Sequence, residues 1–152
     1  MIFKAAVYDA KILTDIALKS KAFWGYSQEE LCIWIDELTI TSKTFDECNI
    51  YKYIIKDKIV GFYVLERANI RTSFLNFLFI SPQYIKHGIG SKLLCHAIEN
   101  CIEGSCAILN VLSDPNAEGF YAKHGFKVVN KIESSIKGRF LPEMELEFLE
   151  NQ

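Results

Sequence analysis

The sequence offers little for a polyanion to hold. Seventeen lysines and arginines face 19 aspartates and glutamates, giving a net charge of −2 and a pI near 5.9. A sequence-independent nucleic-acid binder needs a basic face, so that class is set aside. No long apolar run is present. The longest, around Phe77–Ile80, is far too short to span a bilayer, which argues against a membrane protein. The opening stretch MIFKAAVYDAKIL is interrupted by Lys4 and Asp9 and does not read as a signal peptide. With three prolines and eight glycines, no segment is Pro-rich or Gly/Ser-rich, and no internal repeat is found. The five cysteines (32, 48, 95, 101, 106) form an odd set without CxxC spacing, which reads as reduced, buried thiols in a cytoplasmic protein. Neither they nor the three histidines (87, 96, 124) have metal-ligand spacing, so no metal is expected.

What is present is an ordinary globular balance in 152 residues, 50% hydrophobic and 24% charged, which predicts one domain over 1–152 with one core. Residues 2–8 read as a strand, and Asp9 as the cap of a helix through about Lys21. Ser27 followed by Glu30 is a capping box for a second helix over 28–40, with an apolar stripe of Leu31, Ile35 and Leu38 and Trp34 beside it. NIYKYIIK and KIVGFYVLER flank Asp57 as an antiparallel hairpin. SFLNFLFI (73–80) is apolar on both faces, the mark of a strand covered on both sides. A helix follows, with apolar residues at helical spacing from Ile89 to Ile102 and Gly104 as its cap. CAILNVL (106–112) is a further buried strand. Pro115 opens a short helix that Gly125 ends, and FKVVNKIE and MELEFL close the chain as strands. The class is α/β (α+β): a mixed sheet with helices on both faces.

Within SPQYIKHGIGSKLL (81–94), Gly88 and Gly90 sit between a strand and a helix. Unpaired N–H groups and the positive dipole end make a helix start an anion site, and glycine lets a phosphate approach. A plain turn reads the same way. The spacing fits neither a P-loop nor GxGxxG.

Downstream stands DPNAEGFYAKHGF (114–126). The blocks FLFISPQYIKHGIGSKLL (77–94) and LNVLSDPNAEGFYAKHGFKVV (109–129) resemble the GNAT superfamily of acetyl-CoA-dependent N-acetyltransferases. Less specifically, 21–42 and GRFLPEMELEF (138–148) look like its small-molecule branch. The resemblance implies a single-domain, mostly antiparallel sheet whose central strands 73–80 and 106–112 splay apart around the donor. It implies that amides of Ile85, Lys86, His87, Gly88, Ile89, Gly90 and Ser91 hold the CoA pyrophosphate, and that Phe79 and Ile80 pair their backbone with the pantetheine arm. Asn116, or Asp114 before it, would meet the pantetheine. Tyr121 would contact the donor and protonate the leaving thiolate; as a residue pattern alone it reads more readily as a core aromatic. On the acceptor side the resemblance points to Trp24, Tyr26, Asn76, Asn110, Glu133 and Arg139. The family pattern prefers Arg or Gln and then Gly where this chain has Ile85 and Lys86, and no general base stands out. The implied activity is acetyl transfer from acetyl-CoA to a primary amine of a small molecule or amino-acid-like acceptor. A protein N-terminal or lysine acetyltransferase and a non-catalytic CoA-binding sensor are the alternatives, and a homodimer is a family-level expectation.

Overall fold

The computed structural model describes residues 1–148; Leu149 of the expected last strand lies outside them. The elements are β1 (Ile2–Lys4), α1 (Ala10–Phe23), α2 (Gln28–Leu38), α3 (Ser42–Glu47), β2 (Asn49–Ile55), β3 (Lys58–Arg67), β4 (Thr72–Ile80), α4 (Ile89–Glu103), β5 (Ile108–Leu112), α5 (Glu118–Lys123), β6 (Lys127–Glu133) and β7 (Phe140–Glu147). The strands form one sheet in the order β1-β2-β3-β4-β5-β7-β6. Ladders are antiparallel for β1–β2, β2–β3, β5–β7 and β6–β7, and parallel for β4–β5. No helix among the described residues is long and apolar enough to cross a membrane. Contacts divide the chain into two compact units. One joins Met1–Leu65 to Phe77–Ala97, the other joins Glu66–Asn76 to the chain from Ile98 onward.

In the first unit, Leu13, Ile16 and Ala17 recur at helical spacing and bury one face of α1. Asp9 does not cap that helix. Its carboxylate accepts the Ala6 N–H at 2.9 Å and the Lys52 ammonium at 2.7 Å, and both side chains of that ion pair are largely buried. The chain therefore leaves β1 at Lys4, earlier than the expected 2–8, and enters a short 3₁₀ turn at Val7–Asp9. The Ser27–Glu30 box forms as expected, each side chain bonding the other's backbone N–H at 3.1 and 2.9 Å. The buried face of α2 is Trp34 and Leu38, both on the expected apolar side, whereas Ile35 is 43% exposed, so the buried face is turned toward Trp34 and away from Ile35. Helix α3 was not legible: it has six residues and buries none of them, so it carries no apolar period. The β2–β3 turn uses Lys56 and Asp57, with φ of 49° and 63°, the mirror-image turn that suits strand twist.

Gly61 on β3 is a close-packing point. A Cβ there would lie 2.8 Å from Ile80 Cδ1, 3.1 Å from the Phe79 carbonyl oxygen and 3.2 Å from Leu93 Cδ1. The two methyls can swing away, but the carbonyl belongs to β4 and moves only with its strand. Gly61→Ala is expected to lower unfolding free energy by about 1–3 kcal/mol in urea titration, the usual overpacking range.

In the second unit, α4 ends at Glu103 with Gly104 in the expected cap position, and the left-handed residue is the next one, Ser105 (φ 59°). Gly104 is small for another reason: a Cβ there would meet Arg67 Nη1 at 2.9 Å. That guanidinium donates to the carbonyls of Asn69, Ile70 and Gly104 at 2.8, 2.7 and 2.8 Å, tying the β3–β4 turn to the helix end. All five cysteines are free thiols, but only Cys101 and Cys106 are buried, while Cys32 and Cys95 are exposed, against the expectation of buried thiols. Burial, reinforced by the neighbouring Cys106, pushes the Cys101 thiol up to about 12, so it is a core group and not a nucleophile. Strand β4 is not covered on both faces. Ser73 and Leu75 are buried, whereas Phe74 is 38% exposed and Asn76 is exposed. Strand β7 starts at Phe140, earlier than the expected Met144, and admits Pro142, whose carbonyl accepts the Ser113 N–H at 2.9 Å.

Candidate active site

The first unit supplies the glycine turn. After the 3₁₀ turn Pro82–Tyr84, Ile85 is extended, Lys86 is left-handed at φ 71° and Gly88 is left-handed at φ 79°. Two left-handed residues flanking His87 form a loop of the kind whose successive N–H groups face an anion. Gly88 accepts the Lys92 N–H at 3.2 Å, which places it just before α4. The first-turn amides of Ile89 and Gly90 then have no helix carbonyl to donate to. Ile89 is buried and anchors the helix start, whereas Lys86, His87 and Gly88 are exposed. An anion here meets backbone amides, the dipole of the 15-residue α4 and the Lys86 ammonium. Phe79 and Ile80 close β4 just ahead of this turn, and the Phe79 ring lies 5.9 Å from Phe77 and 6.2 Å from Phe62.

Lys86 explains the glycine that the family pattern prefers at this position. A side chain at positive φ costs about 1 kcal/mol relative to glycine. Lys86→Gly is expected to raise unfolding stability by that amount. It is also expected to weaken CoA binding at low salt through the lost charge, a deficit that fades as salt rises. Urea titration and binding at two ionic strengths check both halves.

The second unit holds the remaining chemistry. The β4–β5 ladder has three pairs, Thr72↔Ile108, Ser73↔Leu109 and Phe74↔Asn110. Among the described residues it goes no further within this unit, so Leu75 and Asn76 have no partner in Val111 and Leu112. β5 stays paired to β7 through Leu112↔Glu143 on its other edge. Facing edges left open beside buried Leu75 and Val111 carry main-chain groups that need a ligand or water.

Beyond β5, Asp114 caps the turn Pro115–Ala117, accepting the backbone N–H and the side-chain amide of Asn116 at 2.9 and 3.0 Å. Its other oxygen lies 3.2 Å from Arg139 Nη2, a largely buried ion pair. Arg139, expected on the acceptor side, thus holds Asp114. Asn116, expected on the pantetheine, is tied to the same carboxylate. Tyr121 on α5 is 5% exposed and packs edge-on between Phe120 and Phe126, at 5.1 and 5.3 Å. Burial, and secondarily the Asp114 charge, push its phenol well above the usual tyrosine range, so it keeps its proton. Its hydroxyl has no hydrogen-bond partner among the described residues.

Each expected acceptor residue has contacts of its own within its unit. Trp24 is 46% exposed and stacks edge-on with Phe23 at 5.2 Å, while Tyr26 packs on Trp34 at 4.8 Å, so the two do not pair with each other. The Lys21 ammonium already lies 5.6 Å from the Tyr26 ring and 5.0 Å from the Trp34 ring. Glu133 accepts the Gly138 N–H at 2.9 Å in the β6–β7 connection. Asn76 donates to Glu66 at 2.9 Å. Asn110 is 7% exposed and donates to Glu143 at 2.9 Å and Glu145 at 3.0 Å. Neither of those glutamates stood out in the sequence; the only signal was the alternating E-M-E-L-E of β7, which also describes a solvated face. No group of three metal-ligating side chains occurs among the described residues.

Residues 35–148 match the family model described as an acetyltransferase (GNAT) domain. No curated protein sequence matches the chain. Solved structures with the same fold include a GCN5-related N-acetyltransferase from Rhodopseudomonas palustris (TM-score 0.82, 20% identity, 97% of this chain and 95% of that one). A PaiA N-acetyltransferase from Thermoplasma acidophilum in complex with coenzyme A aligns with TM-score 0.80, 21% identity and 97% and 98% coverage. A ribosomal-protein alanine N-acetyltransferase from Escherichia coli aligns with TM-score 0.74, 19% identity and 100% and 97% coverage.

Proposed function

Because the chain belongs to the GNAT acetyltransferase family, acetyl transfer from acetyl-CoA is its chemistry, and we propose that the acceptor is the primary amine of a small or amino-acid-like molecule that attacks the thioester directly. The observation that carries the donor half is the left-handed pair Lys86 and Gly88 ahead of α4. The amides of 85–90 would hold the pyrophosphate, and the backbone of Phe79 and Ile80 the pantetheine arm. Acetyl-CoA supplies an activated acyl carbon and a thiol of pKa about 8.5 as the leaving group. Tyr121 is the group that donates to the departing sulfur: its ring is buried, its phenol neutral, and its hydroxyl, unpartnered among the described residues, is not a fully buried polar atom. A raised phenol pKa makes it a weak acid, so its main contribution is a hydrogen bond that strengthens as negative charge collects on sulfur. We further propose that the chain works as one domain in the cytoplasm, where its five free thiols stay reduced.

The test is a thermal-shift titration with CoA beside an acetyl-CoA consumption screen over small primary amines, amino acids and a peptide with a free N-terminus. The expected result is a rise in Tm with CoA and turnover on at least one small amine. No shift with CoA sinks the donor reading. Turnover on the peptide alone moves the acceptor to proteins, and binding without turnover makes the chain a sensor.

A further inference from the structure

We propose that Glu143 and Glu145, gathered by Asn110 where the β4–β5 ladder opens, bind the acceptor's ammonium group and take the proton it must lose before attack. This rests on the acetyl-transfer reading and supplies the base that reading lacks. The two carboxylates sit on alternate residues of β7, hence on one face, and Asn110 is the direct cross-strand partner of Glu145. The single Asn110 amide group donates to both, at 2.9 and 3.0 Å, so each carboxylate keeps a second oxygen for another donor. Asn110 is neutral, and both glutamates are half-buried. Two carboxylates drawn together by an uncharged donor repel each other, and a cation between them removes that repulsion.

The second observation is independent of the carboxylates. The parallel ladder stops at the very pair that contains Asn110, Phe74↔Asn110, leaving the facing edges at Leu75–Asn76 and Val111–Leu112 without a strand partner. Leu75 and Val111 are 3% and 4% exposed, and main-chain groups in such surroundings require a ligand or water. An acyl chain lying in that opening would present its carbonyl carbon beside the Asn110 side of β5. On the same face, Phe74 and Leu112 are 38% and 48% exposed and offer apolar surface to the acceptor's carbon skeleton. Asn76 turns its amide to Glu66 there, and Lys127 of β6 is the cross-strand partner of Glu145, so two carboxylates and Glu66 stand against one lysine around this face.

The step balances as follows. The ammonium gives one proton to a carboxylate, which passes it to water. The nitrogen lone pair forms the C–N bond as the C–S bond breaks and its electrons go to sulfur. The sulfur receives a proton from the Tyr121 side, and the nitrogen's remaining surplus proton restores that donor through water. The products are the amide, the free thiol and one released proton.

Glu143→Gln, Glu145→Gln, the double variant and a Glu147→Gln control are compared with wild type on three readouts: acetyl-CoA binding, calorimetric titration of butylamine without donor, and kcat/KM on amines of graded basicity. The double variant is expected to lose about 10²-fold or more in kcat/KM on alkylamines. It is also expected to lose butylamine binding, keep acetyl-CoA binding and melt like wild type. An arylamine, already unprotonated at neutral pH, loses much less. Glu147→Gln changes nothing. A double variant with wild-type butylamine binding and turnover overturns the proposal. Wild type that binds acetyl-CoA but acetylates no amine overturns the base role and leaves donor binding standing. Wild type that fails to bind acetyl-CoA overturns the reading beneath both.

Discussion

Tyr121→Phe lowers turnover by about 10²- to 10³-fold, the range lost with one hydrogen-bond donor aimed at developing charge, and costs little acetyl-CoA affinity. The ring stays, so the edge contacts to Phe120 and Phe126 stay. The hydroxyl has no partner among the described residues, so its removal orphans nothing there. The variant therefore melts at or slightly above the wild-type temperature at neutral pH, which separates a chemical defect from a folding one. Steady-state kinetics with calorimetric donor binding reads the first part; equal turnover by the two proteins removes Tyr121 from the chemistry.

The same side chain predicts an alkaline signature. A phenol in the unfolded chain ionises as pH rises through its ordinary value of 10.0, while burial holds the folded one neutral to higher pH. Above pH 10.0 the unfolded state therefore binds fewer protons than the folded state, and stability falls as pH rises. Phenylalanine lacks that term, so Tyr121→Phe loses less stability than wild type on going from about pH 9 to about pH 11. Urea unfolding at the two values measures the difference.

The elements that the sequence shows plainly are those specified by near neighbours. The Ser27–Glu30 box, the Lys56–Asp57 turn and the apolar period of α4 each depend on residues within a few positions. The glycine turn belongs with them, since strand, glycines and helix follow one another along the chain. What was hidden depends on distant partners. Asp9 reads as a cap because its competitor, Lys52, lies 43 residues away. Phe74 and Asn76 read as a two-sided core strand because nothing local shows that one face stays open. Arg139 reads as free for an acceptor until Asp114, 25 residues back, meets it. Glu143 and Glu145 are the extreme case: the alternation that turns them to one side is that of any solvated strand, and only Asn110, 33 and 35 residues earlier, joins them into a cluster. The glycine turn was thus legible from local pattern, and the polar contacts made across distant strands were not.

Gly88→Val weakens acetyl-CoA binding by about tenfold or more, whereas Gly88→Asn keeps most of it. A Cβ at Gly88 would meet nothing within 4 Å, so neither change is a matter of space. The difference lies in handedness. At φ 79° a β-branched residue is a genuine outlier, costing about 2 kcal/mol or more, while asparagine enters that region readily. Valine has two ways out. It can bear the strain, which lowers global stability by that amount, or it can flip the turn to negative φ, which rotates the amides of the turn away from a bound anion. The turn is exposed while Ile89 behind it is buried, so the flip costs little packing and is the cheaper escape. Affinity is then lost with α4 intact, and about 1.4 kcal/mol of misaligned amide contacts already amounts to tenfold. Calorimetric titration of CoA into both variants, with circular dichroism to confirm the helix, separates the cases. If valine and asparagine bind CoA as glycine does, the left-handed turn is only the start of a helix and the donor is held elsewhere.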